Sequence, residues 1–180
     1  MHFLISMKKL VIIPTYNEKE NIRNIINAVF ALEQDFHVLI VDDSSPDGTA
    51  QIVEEMRKEF PTHLHLLIRK VKDGLGKAYI AGFKWALEYG YEYIFEMDAD
   101  FSHPPEKLLE LLDACENKGA YLSVGSRYVK GGGVVNWPFN RLFLSWFASK
   151  YVRLMTGMRI KDTTAGFVCY RNETLQNIDF

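Results

Sequence analysis

Cysteine is scarce in this chain: Cys115 and Cys169 are the only two in 180 residues, far apart and outside any CxxC pair. No disulfide framework and no cysteine zinc site can be read from them, and both are expected to be reduced, partly buried thiols of a cytosolic protein. Long apolar runs are missing too. No uninterrupted stretch reaches the ~18 residues of a membrane span, and the apolar start, Met1 to Ser6, is too short for a signal peptide and has no basic region before it. Charge of one sign is also lacking. Lys+Arg 21 against Asp+Glu 23 gives −2 at pH 7, so no overall basic charge recruits nucleic acid. No GxGxxG follows a strand, and Gly74-Leu75-Gly76-Lys77-Ala78 lacks the upstream Gly and the Ser/Thr of a P-loop. The five histidines (His2, His37, His63, His65, His103) show no zinc-ligand spacing and are expected in core or surface roles.

What remains is an ordinary globular composition: 48% hydrophobic, 13% aromatic and 24% charged. The length fits one domain. Short β-rich runs alternate with segments of helical period. Leu10-Val11-Ile12-Ile13, stopped by Pro14, reads as a buried strand. Ile22, Ile25, Ile26, Val29 and Phe30 predict an amphipathic helix over residues 18 to 33. Strands are expected at His37–Val41, His63–Ile68, Tyr91–Met97 and Ala120–Val124, and helices at Thr49–Phe60, Gly74–Tyr89, Pro105–Lys118 and Asn140–Met155. Such alternation implies parallel strands joined by crossover helices, hence an α/β fold with an open sheet.

In an open α/β sheet, ligands bind outside the carboxyl ends of the strands. The unusual polar clusters fall there: Pro14-Thr15-Tyr16-Asn17-Glu18, Asp42-Asp43, Asp98-Ala99-Asp100 and Gly125-Ser126-Arg127. Helix capping explains Asn17 or Ser44 singly. It does not explain paired carboxylates at two strand ends. Asp98 and Asp100, separated by one residue, project the same way if extended geometry continues. Like charges held so close repel unless a cation lies between them, and Mg²⁺ or Mn²⁺ suits carboxylate and phosphate oxygens.

These residues resemble a known family. Ile13-Pro14-Thr15-Tyr16-Asn17-Glu18, the run Val41 to Thr49, and Gly74-Leu75-Gly76-Lys77-Ala78 are similar to the inverting family-2 glycosyltransferases. The run Met97 to Pro105, Gly125-Ser126-Arg127-Tyr128 and Asp162-Thr163-Thr164-Ala165-Gly166-Phe167 narrow the resemblance to the dolichyl- (polyprenol-) phosphate mannose synthases, over about Leu10 to Leu175. The resemblance implies a GT-A, Rossmann-like fold, with an open, mostly parallel sheet flanked by helices. It also implies a sugar-nucleotide donor, a Mg²⁺ or Mn²⁺ cofactor and a lipid-phosphate acceptor.

By motif match, Pro14, Tyr16 and Glu18 line the nucleoside pocket, with Val41 and Asp43 beside the base. Asp98 and Asp100 hold the cation on the donor diphosphate, Ala99 adds a main-chain contact, and Ser102 sits where some members place a further metal-site side chain. Arg127 and Arg141 match arginines that meet phosphate, for which a planar guanidinium is suited. Asp162 is the carboxylate available as a base, or else a turn cap.

The expected function is mannosyl transfer from GDP-mannose to a polyprenyl phosphate at the cytoplasmic face of a membrane, with peripheral membrane contact. The alternatives are a UDP-glucose-dependent polyprenyl-phosphate glucosyltransferase, or a nucleotide-sugar-binding fragment inactive without its C-terminal segment. Members of this kind continue past the Gly166-Phe167 motif with a further basic segment, so residues 1–180 are expected to be one GT-A domain shortened at its C-terminal side. Phe143, Trp146, Phe147 and Tyr151, with Arg141, Lys150 and Arg153, suit either a core helix with snorkelling cations or an interfacial helix facing lipid.

Overall fold

A computed structural model describes residues 8–126, 147, 150–152, 154–157, 160, 162 and 164–180. Its elements run β1 (Lys9–Thr15), α1 (Ile22–Phe30), β2 (Phe36–Asp42), α2 (Thr49–Met56), β3 (Leu64–Ile68), α3 (Leu75–Glu88), β4 (Tyr93–Glu96), a 3₁₀ turn (Pro105–Lys107), α4 (Leu108–Glu116), β5 (Leu122–Val124), β6 (Val168–Arg171) and α5 (Asn172–Gln176). The six strands form one sheet in the order β3-β2-β1-β4-β6-β5. β1 pairs in parallel with β2 and β4, and β2 with β3.

The unbroken apolar run of β1 has a direct cause. Leu10, Val11, Ile12 and Ile13 are all fully buried, because the strand is central and both sheet faces are covered. Complete burial of each such side chain stabilises by about 1.5–3 kcal/mol. Val11 and Ile13 join one core with Ile22, Ile25 and Ile26 of α1, Val53 of α2 and Leu108 of α4. Leu10 and Ile12 join the other with Ala78, Tyr79 and Phe83 of α3 and Leu175 of α5. A Cβ added to Gly82 would lie 2.7 Å from Ile12 Cγ2, so the glycine is what lets α3 lie this close to β1.

The fold class stands as read, but several limits move. α1 begins at Ile22 rather than residue 18. Asn17 has φ +62°, and the main-chain N–H groups of Asn17, Glu18 and Lys19 donate to Ser45 Oγ, Thr49 Oγ1 and Asp47 Oδ2 at 3.0–3.1 Å. These bonds commit the segment to the loop after β2 instead of to a helix. α2 stops at Met56 rather than Phe60, and beyond it i→i−3 bonds from Lys58 and Glu59 interrupt the i→i−4 pattern. β6 is new. Val168–Arg171 lies antiparallel to both β4 and β5, and four residues carry too little alternation to announce a strand. Most of the helix expected over Asn140–Met155 lies outside the described residues.

Candidate active site at the carboxyl edge of the sheet

Past the end of β4 the alternation of the strand persists. Met97 and Ala99 are buried, while Asp98 is half-exposed and Asp100 exposed. Both carboxylates are therefore turned out of the core. Among the described residues Asp98 has only long contacts: Tyr79 Oη donates to Oδ1 at 3.3 Å, and His103 Nε2 stands 3.6 Å from Oδ2. Burial first, and then the Asp98 charge, push the Tyr79 phenol well above its usual range, so it stays a donor. Burial also opposes ionisation of Asp100, but hydrogen bonds from Ser102, its main-chain N–H at 2.9 Å among them, and the nearby His103 hold the carboxyl below its usual value. Glu96, one step back, is pushed up to about 7, by burial first and then by Asp98. Negative charge is thus crowded at this strand end.

The wall beside Asp98 is built by a stack. The His103 ring lies on the Phe167 ring with centroids 4.9 Å apart and planes 7° from parallel. Phe167 in turn fills the space over Gly125, where an added Cβ would meet Phe167 Cδ1 at 2.4 Å. Gly166 leaves the side of Asp98 open, since a Cβ there would lie 3.7 Å from Oδ2. Tyr79, His103 and Phe167 were not singled out from the sequence as site residues. Only His103 and Phe167, inside quoted motifs, carried a signal that could have found them.

At the end of β2 the two neighbouring aspartates differ. Asp42 is fully buried and accepts from Thr15 Oγ1 (2.8 Å), Ser45 N–H (2.8 Å) and Ser45 Oγ (2.6 Å). It holds the β1 and β2 loops together and faces no ligand. Asp43 Oδ1 stands 3.3 Å from Arg69 Nη1. The pair attracts by charge but is not aligned as a hydrogen bond, and both atoms are buried without a hydrogen-bond partner among the described residues. Arg69, a residue the sequence reading passed over, also pairs with Asp73.

Tyr16 is exposed, with Lys72 Nζ 3.6 Å from its ring centroid. Pro14 and Glu18 are partly buried, and Glu18 accepts from Asn21 Nδ2 at 3.0 Å. The Val41 side chain is fully buried in the core under α3, so only its main chain could face a ligand. Asn17 and Ser44 cap nothing. α1 starts behind Asn21 and α2 behind Gly48, and Ser44 Oγ instead donates to the Arg69 carbonyl at 2.6 Å.

Asp162 is 1% exposed, and its Oδ1 accepts from Thr164 Oγ1 at 3.3 Å and, more weakly, from its N–H at 3.4 Å, the pattern of a turn cap. Arg127 and Arg141 lie outside the described residues. The edge therefore brings together Pro14, at the end of β1, with Tyr16, Glu18, Asp43, Asp98, Ala99, Asp100 and Ser102 on the loops that follow β1, β2 and β4. As a donor set, Asp98 and Asp100 fit a hard divalent cation: two carboxylates, weakly hydrogen-bonded at Asp98, with open space at Gly166.

A family model described as "Glycosyl transferase family 2" matches residues 10–178. The chain belongs to that family. It is 50% identical over 174 residues to the polyprenol monophosphomannose synthase of Mycolicibacterium smegmatis, covering 97% of this chain and 65% of the relative. It is 49% identical over 173 residues to the undecaprenyl-phosphate mannosyltransferase of Micrococcus luteus, covering 96% of this chain and 70% of the relative. The chain thus spans about two thirds of these relatives' length. Among solved structures, a mannosyltransferase from Pyrobaculum calidifontis in complex with GDP-Man and Mn²⁺ superposes with a TM-score of 0.64 at 19% identity, over 94% of this chain and 46% of that one. That likeness bears on the fold, which is the GT-A arrangement expected. No described helix is long and apolar enough to cross a membrane.

Proposed function

We propose that this chain is the donor-binding domain of an inverting glycosyltransferase that moves mannose from GDP-mannose to a polyprenyl phosphate. The observation that carries the reading is the Asp98-Ala99-Asp100 strand end, in a chain half identical to a polyprenol monophosphomannose synthase. Asp98 and Asp100, with Ser102 beside them, would hold a Mg²⁺ or Mn²⁺ ion, which when bound offsets the charge of the donor diphosphate. Asp43, Arg69, Pro14, Tyr16, Glu18 and the main chain of Val41 and Ala99 would form the nucleoside side.

The acceptor chemistry needs little from the protein. A phosphomonoester has a second pKa near ~6 and is mostly ionised at neutral pH. One of its oxygens forms the bond to the anomeric carbon while the bond to the diphosphate oxygen breaks on the opposite face. No proton has to move. Arg127 and Arg141 would orient the phosphate, and Asp162, already engaged as a turn cap, would not be required as a base. Phe147, Tyr151, Leu154 and Met155 are exposed at the i, i+4, i+7, i+8 spacing of one helix face, which supports peripheral contact with the acceptor's membrane.

The test is ligand stabilisation in the presence of Mn²⁺, since stabilisation follows affinity. GDP and GDP-mannose should raise the melting temperature more than UDP and UDP-glucose at equal concentration. A larger shift with the uridine ligands would move the reading to a glucosyltransferase.

A further inference from the structure

We propose that the amino edge of the sheet, opposite the active site, carries a second metal site: Asp35, His37 and His63 bind a borderline transition cation of the Zn²⁺ class. One ligand atom from each of the three lies within 4.8 Å of the others, the one such group of three among the described residues. Asp35 closes the loop before β2, His37 stands at the start of β2, and His63 directly precedes β3. The two strands are hydrogen-bonded in parallel, with Val38 N–H donating to the His63 carbonyl at 2.8 Å. The sheet's own register therefore sets the two imidazoles side by side, with ring centroids 4.5 Å apart. The spacing along the chain hid this: Asp35 and His63 are 28 residues apart, far from any short zinc pattern. Six steps along β2 put the cluster ~20 Å from Asp43.

The arrangement goes beyond an ion pair. His63 Nε2 is already 2.9 Å from Asp35 Oδ1, so the two atoms need to part by only about 0.4 Å to span the ~3.3–3.4 Å between ligand atoms on a tetrahedral zinc with bonds of ~2.0–2.1 Å. Asp35 and His63 are loop side chains, 62% and 39% exposed, free to close the remaining gap. His37 is held from behind: its Nδ1 is 2.9 Å from Tyr91 Oη and 3.4 Å from His65 Nε2, and a fixed ring with an outer hydrogen-bond partner is what a metal-binding histidine needs. Two imidazoles and one carboxylate select zinc-like ions over the hard cations expected at Asp98 and Asp100. Three protein ligands leave one position for water. Bound metal would tie the α1–β2 and α2–β3 loops and so stabilise the folded chain.

Cobalt(II) tests this directly, because a four-coordinate Co²⁺ site absorbs visible light strongly and an octahedral carboxylate site does not. Chelator-stripped protein should take up one equivalent with intense absorption, and Zn²⁺ should displace it and raise the melting temperature. His63→Ala and Asp35→Asn, both at exposed positions and checked for folding by circular dichroism, should each weaken binding by about tenfold or more. Asp100→Ala should leave the signal intact. Absence of the tetrahedral signal in the wild type, its persistence in both edge variants, or its loss in Asp100→Ala would each overturn the assignment. None of these readouts depends on glycosyl transfer.

Discussion

Replacing Asp42 by alanine should cripple stability, whereas the same change at its neighbour Asp43 should chiefly remove nucleotide affinity. Asp42 accepts three hydrogen bonds in a fully buried setting. A hydrogen bond to a charged group contributes roughly 1.5–3 kcal/mol. The three are not additive, because two come from Ser45 and share its position. The Thr15 and Ser45 hydroxyls can rotate toward other acceptors, but the Ser45 main-chain N–H cannot. Its loss also loosens Ser45 Oγ, which accepts from Asn17 N–H at 3.1 Å and fixes the β1 loop. A cost of about 3–5 kcal/mol follows from the loss of the charge-assisted bonds together with the roughly 1–3 kcal/mol of leaving the Ser45 N–H buried and unsatisfied. At roughly 2–4 °C per kcal/mol for a chain of this size, the melting temperature should fall by about 10 °C.

Asp43→Ala removes one partner of Arg69 but leaves it Asp73. Its stability cost should stay below about 2 kcal/mol, while GDP affinity, measured calorimetrically on the folded variant, drops by tenfold or more, since about 1.4 kcal/mol is a factor of ten. Urea unfolding of both variants decides the matter. An Asp42→Ala loss of about 1 kcal/mol or less, or a larger loss at Asp43 than at Asp42, would refute this division of roles.

Asp100→Ala should abolish metal-dependent nucleotide binding and leave the fold intact, because the residue is exposed; unchanged GDP affinity with Mn²⁺ would exclude it as a ligand. Gly125→Ala should push Phe167, and with it the stacked His103, against Asp98. Overpacking of this kind costs ~1–3 kcal/mol, and calorimetry should show weaker Mn²⁺-dependent GDP binding that Phe167→Leu partly restores. His65 gives a pH test. Burial first, and then His37, hold its imidazole down to about 4 from an ordinary 6.5. Between those values the unfolded chain binds the extra proton, so this contribution to stability is complete above 6.5 and is lost as the pH falls toward 4. In the presence of a chelator, the urea midpoint should drop on acidification from neutral pH to about pH 5, and His65→Gln should flatten that slope; a variant that tracks the wild type would show that His65 is not responsible.

The central strands were legible because burial on both faces leaves an unmistakable signature, as in Leu10 to Ile13. The acidic strand end after β4 was legible for the opposite reason: a core strand has no use for carboxylates, so Asp98 and Asp100 stood out. What could not be read depends on register. Asp42 and Asp43 are identical in the sequence, and only the pairing of Thr15 with Asp42 turns the first inward and leaves the second at the edge. Arg69 acquires a role because β3 lies beside β2, which brings its main-chain N–H to the Asp42 carbonyl at 2.8 Å. The same adjacency assembles Asp35, His37 and His63 from residues that look unrelated along the chain.

The reversed strand β6 has a further consequence for the site. β5 ends at the carboxyl edge, and a parallel successor would have to start at the amino edge after a crossover. Its opening residues, Gly166 and Phe167, would then lie a full strand length from Asp98. Running β6 antiparallel lets it start where β5 stopped, and the two ends of the intervening segment are fastened together there, with Gly125 N–H donating to the Phe167 carbonyl at 2.8 Å. The segment from 126 to 166 is thereby anchored at both ends beside the Asp98 carboxylate. A long insertion at this point costs little, because closure entropy grows only slowly with loop length. The sequence of that segment can therefore change without disturbing β1, β2 and β4, whose ends present the candidate donor residues.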